Sequence, residues 1–348
     1  MKHSYRWHRR LGWILAPLFA LSALSGALLL WLQPLPTPPG TLPPPARWAQ
    51  ALDRGLAELA RTQPGAQADL VDLPRRAGQP IRVHLAAPGL WAELDADSGA
   101  LLSMQTDRRD VRARVLDLHE HLLQADVGPW VLRAAALAGL VLIAMGLRIW
   151  WRVRALPARS PWRRWHRFVG VAVVLPLAGM LASGFVLRWP ELARAALSAW
   201  SAELPPSPPP QLAQARGTTP ATLGESLQAA TRALPGAQPM RLYAGDGGIV
   251  RVRLRSDEWH PNGLNNVYLR ADDATVLRTT TWRELPLAAR YLNVVYPLHT
   301  GWLPGPAGVA AAVAVRVLWT LFALALLWMA LSGSVQRWRA NAAAARRG

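Results

Sequence analysis

Residues 6–31 read RWHRRLGWILAPLFALSALSGALLLW, and residues 164–189 read RWHRFVGVAVVLPLAGMLASGFVLRW. Laid on each other without a gap, Arg6, Trp7, His8, Arg9, Gly12, Ser25, Gly26 and Trp31 meet Arg164, Trp165, His166, Arg167, Gly170, Ser183, Gly184 and Trp189. Each stretch starts basic and aromatic, then runs apolar, from Leu11 to Leu32 and from Phe168 to Leu187. Such runs cross roughly 30 Å of hydrocarbon at about 1.5 Å per residue. One unit is therefore written twice. Pro17 and Pro176 fall one position apart, which predicts a bend near the middle of both helices.

Two more apolar runs follow, Val127 to Ile149 and Ala307 to Val335. No run carries an acid in its middle. Arg133 and Arg316 stand near the starts of the second and fourth, where a long side chain can snorkel. Each unit thus reads as a helix across, an outer domain and a helix back. The expected fold class is an α-helical membrane protein, a four-TM bundle from two tandem repeats, with two small α+β outer domains. The expected parts are the N-terminus and first span (1–33), the first outer domain (34–126) and the second span (127–151). A loop (152–167), the third span (168–189), the second outer domain (190–300), the fourth span (301–336) and a tail (337–348) complete the chain. The first run is too long for a typical signal-peptide core, and QPLPTPPG after it lacks a small-x-small cleavage pattern, so it is expected to stay.

Charge orients these helices. The formal net charge is +18, and much of it is arginine beside apolar runs. It reads as a topology signal, with no nucleic-acid partner. MKHSYRWHRR, RIWWRVRALPARSPWRRWHR and QRWRANAAAARRG belong on the cytoplasmic side of a bacterial inner membrane, with both termini cytoplasmic. The segments between spans one and two and between spans three and four mix Arg with Asp and Glu, as exported domains do. There is no cysteine. Disulfides, cysteine zinc sites, iron–sulfur clusters and covalently attached haem are thereby excluded. No Gly-rich dinucleotide fingerprint lies between a strand and a helix. Metal or redox chemistry must rest on histidine, carboxylate or a non-covalent cofactor.

The outer segments open on proline-rich spacers, PLPTPPGTLPPP and LPPSPPP. The first then predicts a helix over Ala46 to Arg61 and strands near Ala68–Leu73, Ile81–Ala86 and Leu90–Leu94, with a turn at Asp97-Ser98-Gly99. The second predicts a helix over Thr222 to Ala233 and strands near Met240–Ala244, Ile249–Leu254, Asn266–Arg270 and Val276–Thr280. The returning helices begin at DLHEHLLQADVG and YPLHTGWLPGPAG, which aligns Leu118-His119 with Leu298-His299. Further on, Gly146, Trp151 and Arg152 meet Gly333, Trp338 and Arg339.

Four of the eight histidines hold matched positions at membrane boundaries. His8 and His166 stand at the cytoplasmic mouths of spans one and three, and His119 and His299 at the outer mouths of spans two and four. Two-fold symmetry sets each pair face to face. Opposed imidazoles in a helical bundle can supply both axial ligands of a haem iron, here two non-covalent b-type haems, one near each surface. Ser25-Gly26, Ser183-Gly184, Gly139, Gly146 and Gly179 let a flat macrocycle approach the backbone. Arg6, Arg9, Arg164 and Arg167 can pair with propionates. The bland reading is that histidine beside Arg and Trp is an interfacial anchor and that the small residues only pack helices. His121 is the alternative ligand to His119, but Gly301 stands at its matched place. His3 and His84 read as terminal and strand-surface residues. His260, in EWHPNG, is a candidate substrate contact or a plain turn residue.

On RWHRRLG and RWHRFVG before a span, LHEHLL and LHTGWL before the returning spans, and the Ser-Gly pairs, the chain resembles the PepSY-associated transmembrane family. The resemblance implies PepSY-like outer domains, each one helix on a small antiparallel sheet. It also implies a dihaem oxidoreductase of the inner membrane that reduces ferric siderophore in the periplasm, with His8, His166, His119 and His299 as ligands. The electron donor would be a separate cytoplasmic reductase or membrane quinol. The rival is a non-enzymatic protein whose outer domains bind or inhibit a periplasmic peptidase or sense envelope state. A divalent-metal transporter is disfavoured by spans without mid-membrane acids.

Overall fold

The structure, a computed structural model, describes residues 2–33, 35, 45–86, 89–106, 111–158, 160–200, 221–244, 248–302 and 308–346. The proline-rich spacers, apart from Leu35 and Pro45, lie outside the described residues.

Three described helices are long and apolar enough to cross a membrane, in α1 (Lys2–Leu32), α4 (Gly128–Val153) and α10 (Gly308–Ala345). A fourth candidate is the pair α5 (Pro161–Ala172) and α6 (Val174–Arg188), bent by 65° at its break. Pro176 has no N–H for the carbonyl of Ala172, and its ring crowds that carbonyl, so the helix parts there. The expected bend is thus present in the second copy. In the first, α1 runs as one helix through Pro17. Large apolar side chains such as Ile14, Leu24, Leu137, Leu175 and Leu321 point outward. The buried polar side chains of these helices include Ser25, Ser183 and Ser332. That inverted pattern suits lipid as the surrounding solvent.

Helix α1 lies along α10 and also touches α4, while α4 lies along α6 and α10 along α5. Trp31 donates to Thr320 Oγ at 3.0 Å near one end of the α1–α10 pair, and Arg337 covers the Trp13 ring near the other. Arg316 and Arg133, placed where a long side chain can snorkel, each have a defined task. Arg316 donates to Gln33 O at 2.9 Å, just past α1, and Arg133 donates to Arg188 O at 2.8 Å, on the last residue of α6. Each cation satisfies an orphan carbonyl at the negative end of a neighbouring helix.

The part of the chain beyond the candidate spans holds eight antiparallel strands. They are β1 (Ala68–Asp72), β2 (Ile81–Leu85), β3 (Leu90–Leu94), β4 (Leu101–Gln105), β5 (Gln238–Ala244), β6 (Ile249–Arg255), β7 (Asn265–Arg270) and β8 (Val276–Thr280). β4 is a strand that the sequence reading did not anticipate. The two sets form one sheet, ordered β4-β3-β2-β1-β5-β6-β7-β8. The two small domains read from the sequence thus share one continuous sheet. At the seam Leu70 pairs with Tyr243, Val71 with Leu242 and Asp72 with Arg241. β1 and β5 would otherwise be open edges, and an open edge is a template for another strand.

Helices α2 (Pro45–Thr62) and α8 (Leu223–Ala233) cover one face. α2 buries Trp48, Ala49, Leu52, Gly55 and Leu59, a single stripe at helical spacing. α8 starts on a capping box in which Thr222 and Glu225 satisfy each other's backbone N–H. Asp53 of α2 accepts from Thr222 Oγ and from Gly224 N, both at 2.9 Å, and so ties the two helices together. Both helices share one apolar core with Val71, Val83, Leu242, Val252 and Val267.

Helices α3 (Val111–His121) and α9 (Leu287–Thr300) precede α4 and α10 as separate elements. α7 (Pro190–Trp200) follows α6. α3 ends on Leu122 and Leu123, both left-handed at φ 53° and 58°, and α9 ends on Gly301 at φ 61°. Gly128 then passes so close to the His121 carbonyl that a Cβ has no room. His119 and His299 therefore stand on these preceding helices, not on the spans themselves. α3 packs on α1 and α9 packs on α6.

Candidate functional site

Packing α3 on α1 and α9 on α6 brings His119 to His299, with ring centres 6.3 Å apart and planes inclined by 44°. On α1 and α5, His8 meets His166 with ring centres 6.4 Å apart and planes at 81°. A ligating imidazole nitrogen sits roughly 2 Å from its metal, and the ring centre about 1 Å beyond, so two rings on opposite sides of one ion have centres about 6 Å apart. Both separations suit that arrangement. Among the described residues no three His, Asp or Glu side chains gather as a metal cluster would. Each pair offers two donors, the number that a six-coordinate haem iron takes from protein.

The hydrogen bonds assign the ring nitrogens. His119 Nδ1 lies 2.9 Å from Ser25 Oγ, His299 Nδ1 lies 2.9 Å from Ser183 Oγ, and His166 Nδ1 lies 2.7 Å from Ser332 Oγ. Each serine donates its own proton to a backbone carbonyl of its helix, Leu21, Met180 or Met329. Its oxygen is then the acceptor, and the imidazole Nδ1 is the donor. That tautomer leaves the Nε2 lone pair free, as a metal ligand needs. His8 differs. Its buried Nδ1 has no side-chain partner among the described residues and faces the backbone of Leu142 on α4.

Each histidine also lies near a glycine. A Cβ on Gly26 would stand 3.1 Å from His119 Cε1, on Gly184 3.2 Å from His299 Cε1, and on Gly146 3.2 Å from His8 Cε1. On Gly333 it would stand 3.8 Å from His166 Cε1. The glycines were expected to admit a macrocycle. Three of them, Gly26, Gly146 and Gly184, lie closely beside the ring edges of its would-be ligands, and Gly333, which was not among them, lies beside a fourth. Gly139 faces Leu181 and Phe19, and Gly179 has nothing within 4 Å.

A cavity of about 650 Å³ opens at the inner pair, a size within the range of cofactor sites. His8 and His166 line it, with Phe19, Leu142, Leu181 and Met329 among its apolar walls. Arg9 and Arg167 also line it, as does Arg163, which the sequence reading missed; Arg6 and Arg164 are not among its lining residues. Arg167 also donates to Leu156 O at 3.2 Å. Beside the outer pair Arg188 lies within electrostatic range of both rings. Its one sequence signal is a charge at the place where the first copy has Leu30.

The other histidines lie elsewhere. His121 is 3.1 Å from Asp117 and is not brought to His299. His84 bonds Asp69 at 2.6 Å and tilts on Trp91, and His3 is exposed. His260 stacks on Tyr296 at 5.2 Å, three residues before His299. Burial, then the charges of Arg253 and Arg75, pushes its pKa down to about 4. Arg75 donates to Asn262 Oδ1 at 2.8 Å. Burial lowers the Arg75 pKa, with Arg241 and Arg112 adding and Asp72 and Tyr296 opposing.

The model of the family described as the PepSY-associated TM region matches residues 5–340. The chain belongs to that family and is a multi-pass membrane protein. No curated protein matches it.

Proposed function

We propose that this member of the PepSY-associated TM family is a dihaem oxidoreductase of the bacterial inner membrane that reduces ferric siderophore in the periplasm. In this reading α5 and α6 form one span, so that four spans arise from two tandem repeats. Both termini are cytoplasmic and the sheet lies outside. The observation that carries it is the double pairing of His8 with His166 and of His119 with His299, at ring separations of 6.4 and 6.3 Å.

The residues divide the work. His8 and His166 hold a haem near the inner surface, where Arg9, Arg163 and Arg167 supply positive charge for its carboxylates. His119 and His299 hold one near the outer surface, beside Arg188. Ser25, Ser183 and Ser332 fix the tautomers of their partner rings. A haem held by these residues would supply one-electron chemistry. The apolar walls keep water from the bundle interior. One electron from a cytoplasmic reductase or membrane quinol converts one iron(III) to iron(II). Siderophore oxygens hold the harder ion far better, so reduction releases the metal.

The test is optical. Protein purified from haem-replete cells should show a Soret band that shifts on adding dithionite. A colourless preparation sinks this reading and favours a non-enzymatic protein that binds a peptidase or senses envelope state.

A further inference from the structure

The face of the sheet turned away from α2 and α8 divides by charge at the seam between the two copies. Side chains alternate across a strand. On the first copy's half, Arg82 pairs with Glu93 at 2.9 Å and His84 with Asp69 at 2.6 Å. Charge there is locally balanced. On the second copy's half, Arg241, Tyr243, Arg251 and Arg253 share the same face. Arg241 is the cross-strand partner of Arg253, and Tyr243 that of Arg251. Like charges placed directly opposite destabilise a sheet.

Three guanidinia surround one ring. Arg251, Arg253 and Arg241 lie 3.9, 5.6 and 5.8 Å from the centre of Tyr243. Asp72 bonds Arg241 across the seam. The buried Glu258 is occupied by the backbone N–H groups of Ser256 and Leu264 and by the Asn265 amide. Arg75 adds a further cation beside Arg241 and Arg112. Arg112 comes from α3, and its Nε is buried without a hydrogen-bond partner among the described residues. Gathered, half-buried cations repel one another and lose hydration, and a bound anion relieves both costs.

The position gives this surplus a use. Arg112 and His119 are seven residues apart on α3, hence on one side and about 10 Å apart along its axis. Tyr296, against His260, is three residues before His299 on α9. The cationic face therefore sits over the outer histidine pair.

We propose that this face is an anion site, and that the metal chelate it takes is negatively charged, with carboxylate or catecholate donors, and not a neutral or cationic one. Arginine forks match such oxygens with paired hydrogen bonds. The proposal rests on the reductase reading for the identity of its ligand as a chelate, and it is tested without electron transfer.

Gallium(III) replaces iron(III) as a redox-inert probe. Full-length protein in detergent is titrated with an anionic gallium tricatecholate and with a neutral gallium trihydroxamate, and binding is followed by calorimetry. The tricatecholate should bind tighter by at least roughly tenfold at low salt, and the gap should shrink in high salt. Arg251→Gln with Arg253→Gln should abolish the preference and leave the Soret band intact. Arg253→Lys, which keeps the charge, should retain most of it. Equal binding of the two chelates, or a preference that survives the double substitution, overturns the proposal. So does loss of the outer haem in the double variant with the preference unchanged, since the guanidinia would then serve porphyrin carboxylates. A colourless protein with an arginine-dependent preference supports the anion site while the redox reading falls.

Discussion

Gly184 on α6 lies against the edge of His299 on α9, so that a Cβ added at 184 would stand 3.2 Å from Cε1 of the ring. Such a contact is tighter than ordinary packing and pushes the imidazole back. The matching distance at Gly333 and His166 is 3.8 Å, an ordinary contact. Gly184→Ala should therefore weaken the outer haem site, and Gly184→Leu should empty it, although neither replaces a ligand. Gly333→Ala should leave the inner haem in place. Haem per protein, measured as the pyridine complex, checks this series.

His299→Ala removes one of two donors at the outer pair and leaves His8 and His166 untouched. Haem content should fall by about half, and the remaining haem should keep a bis-histidine spectrum. Asp117 engages His121, so His121→Ala should change the content little. A protein with unchanged haem in His299→Ala would break the ligand assignment.

Much of this site can be read from the chain before any fold is known, because similar stretches of sequence occur in it twice. His8 and His166 follow the same Arg-Trp, and Ser25-Gly26 repeats as Ser183-Gly184. What the chain hides is non-local. Nothing near β1 or β5 announces that Val71 will pair with Leu242, since an edge strand is patterned like any other half-buried strand. β4, reading LLSMQ, lacks a clear alternation. Pro17 and Pro176 look equivalent, but a break appears only at the second. Ser332-Gly333 is a third Ser-Gly pair, but the place matched to it in the first copy reads Met145-Gly146, so the repeat does not mark it and its bond to His166 Nδ1 emerges only when α10 packs on α5. The arginine face is likewise visible only once β5 and β6 are set in register.

Ser183→Ala removes the oxygen that accepts the His299 Nδ1 proton at 2.9 Å. The ring then loses its fixed tautomer and some basicity. Losing such a partner behind a metal ligand typically costs about 10–100-fold in affinity. Titration of haem-free protein with haem should show a loss of that size at the outer site. Ser334→Ala, whose hydroxyl bonds only Ala330 O among the described residues, should behave as wild type.

Asp53→Ala addresses the outer core. Its carboxylate accepts from Thr222 Oγ and Gly224 N at the start of α8. Hydrogen bonds to a charged acceptor contribute about 1.5–3 kcal/mol, less where water reaches them, as it does here. A loss of about 1–2 kcal/mol is expected. Thermal unfolding followed by far-ultraviolet circular dichroism should show a lower midpoint, with haem content unchanged.

His260 makes the outer part sensitive to acid in a defined window. Arg253 and Arg75 face it, Tyr296 stacks on it, and its pKa in the folded chain is about 4. An unfolded histidine titrates near about 6.5. Between these values the unfolded chain binds the proton and the folded chain does not. Stability therefore rises with pH across that window, is whole above about 6.5, and is lost as pH falls through about 4. Asp95, Asp257 and Asp273 are held below the ordinary 3.8 by hydrogen bonds, from Ser98, from Trp282 and Arg283, and from Thr275 respectively. Their contributions are lost only at lower pH, so they do not obscure the histidine. The unfolding midpoint should drop between pH 6.5 and 4.5. In His260→Phe, which keeps a ring against Tyr296, this slope should flatten. An equal slope in both proteins would assign the acid sensitivity to another group.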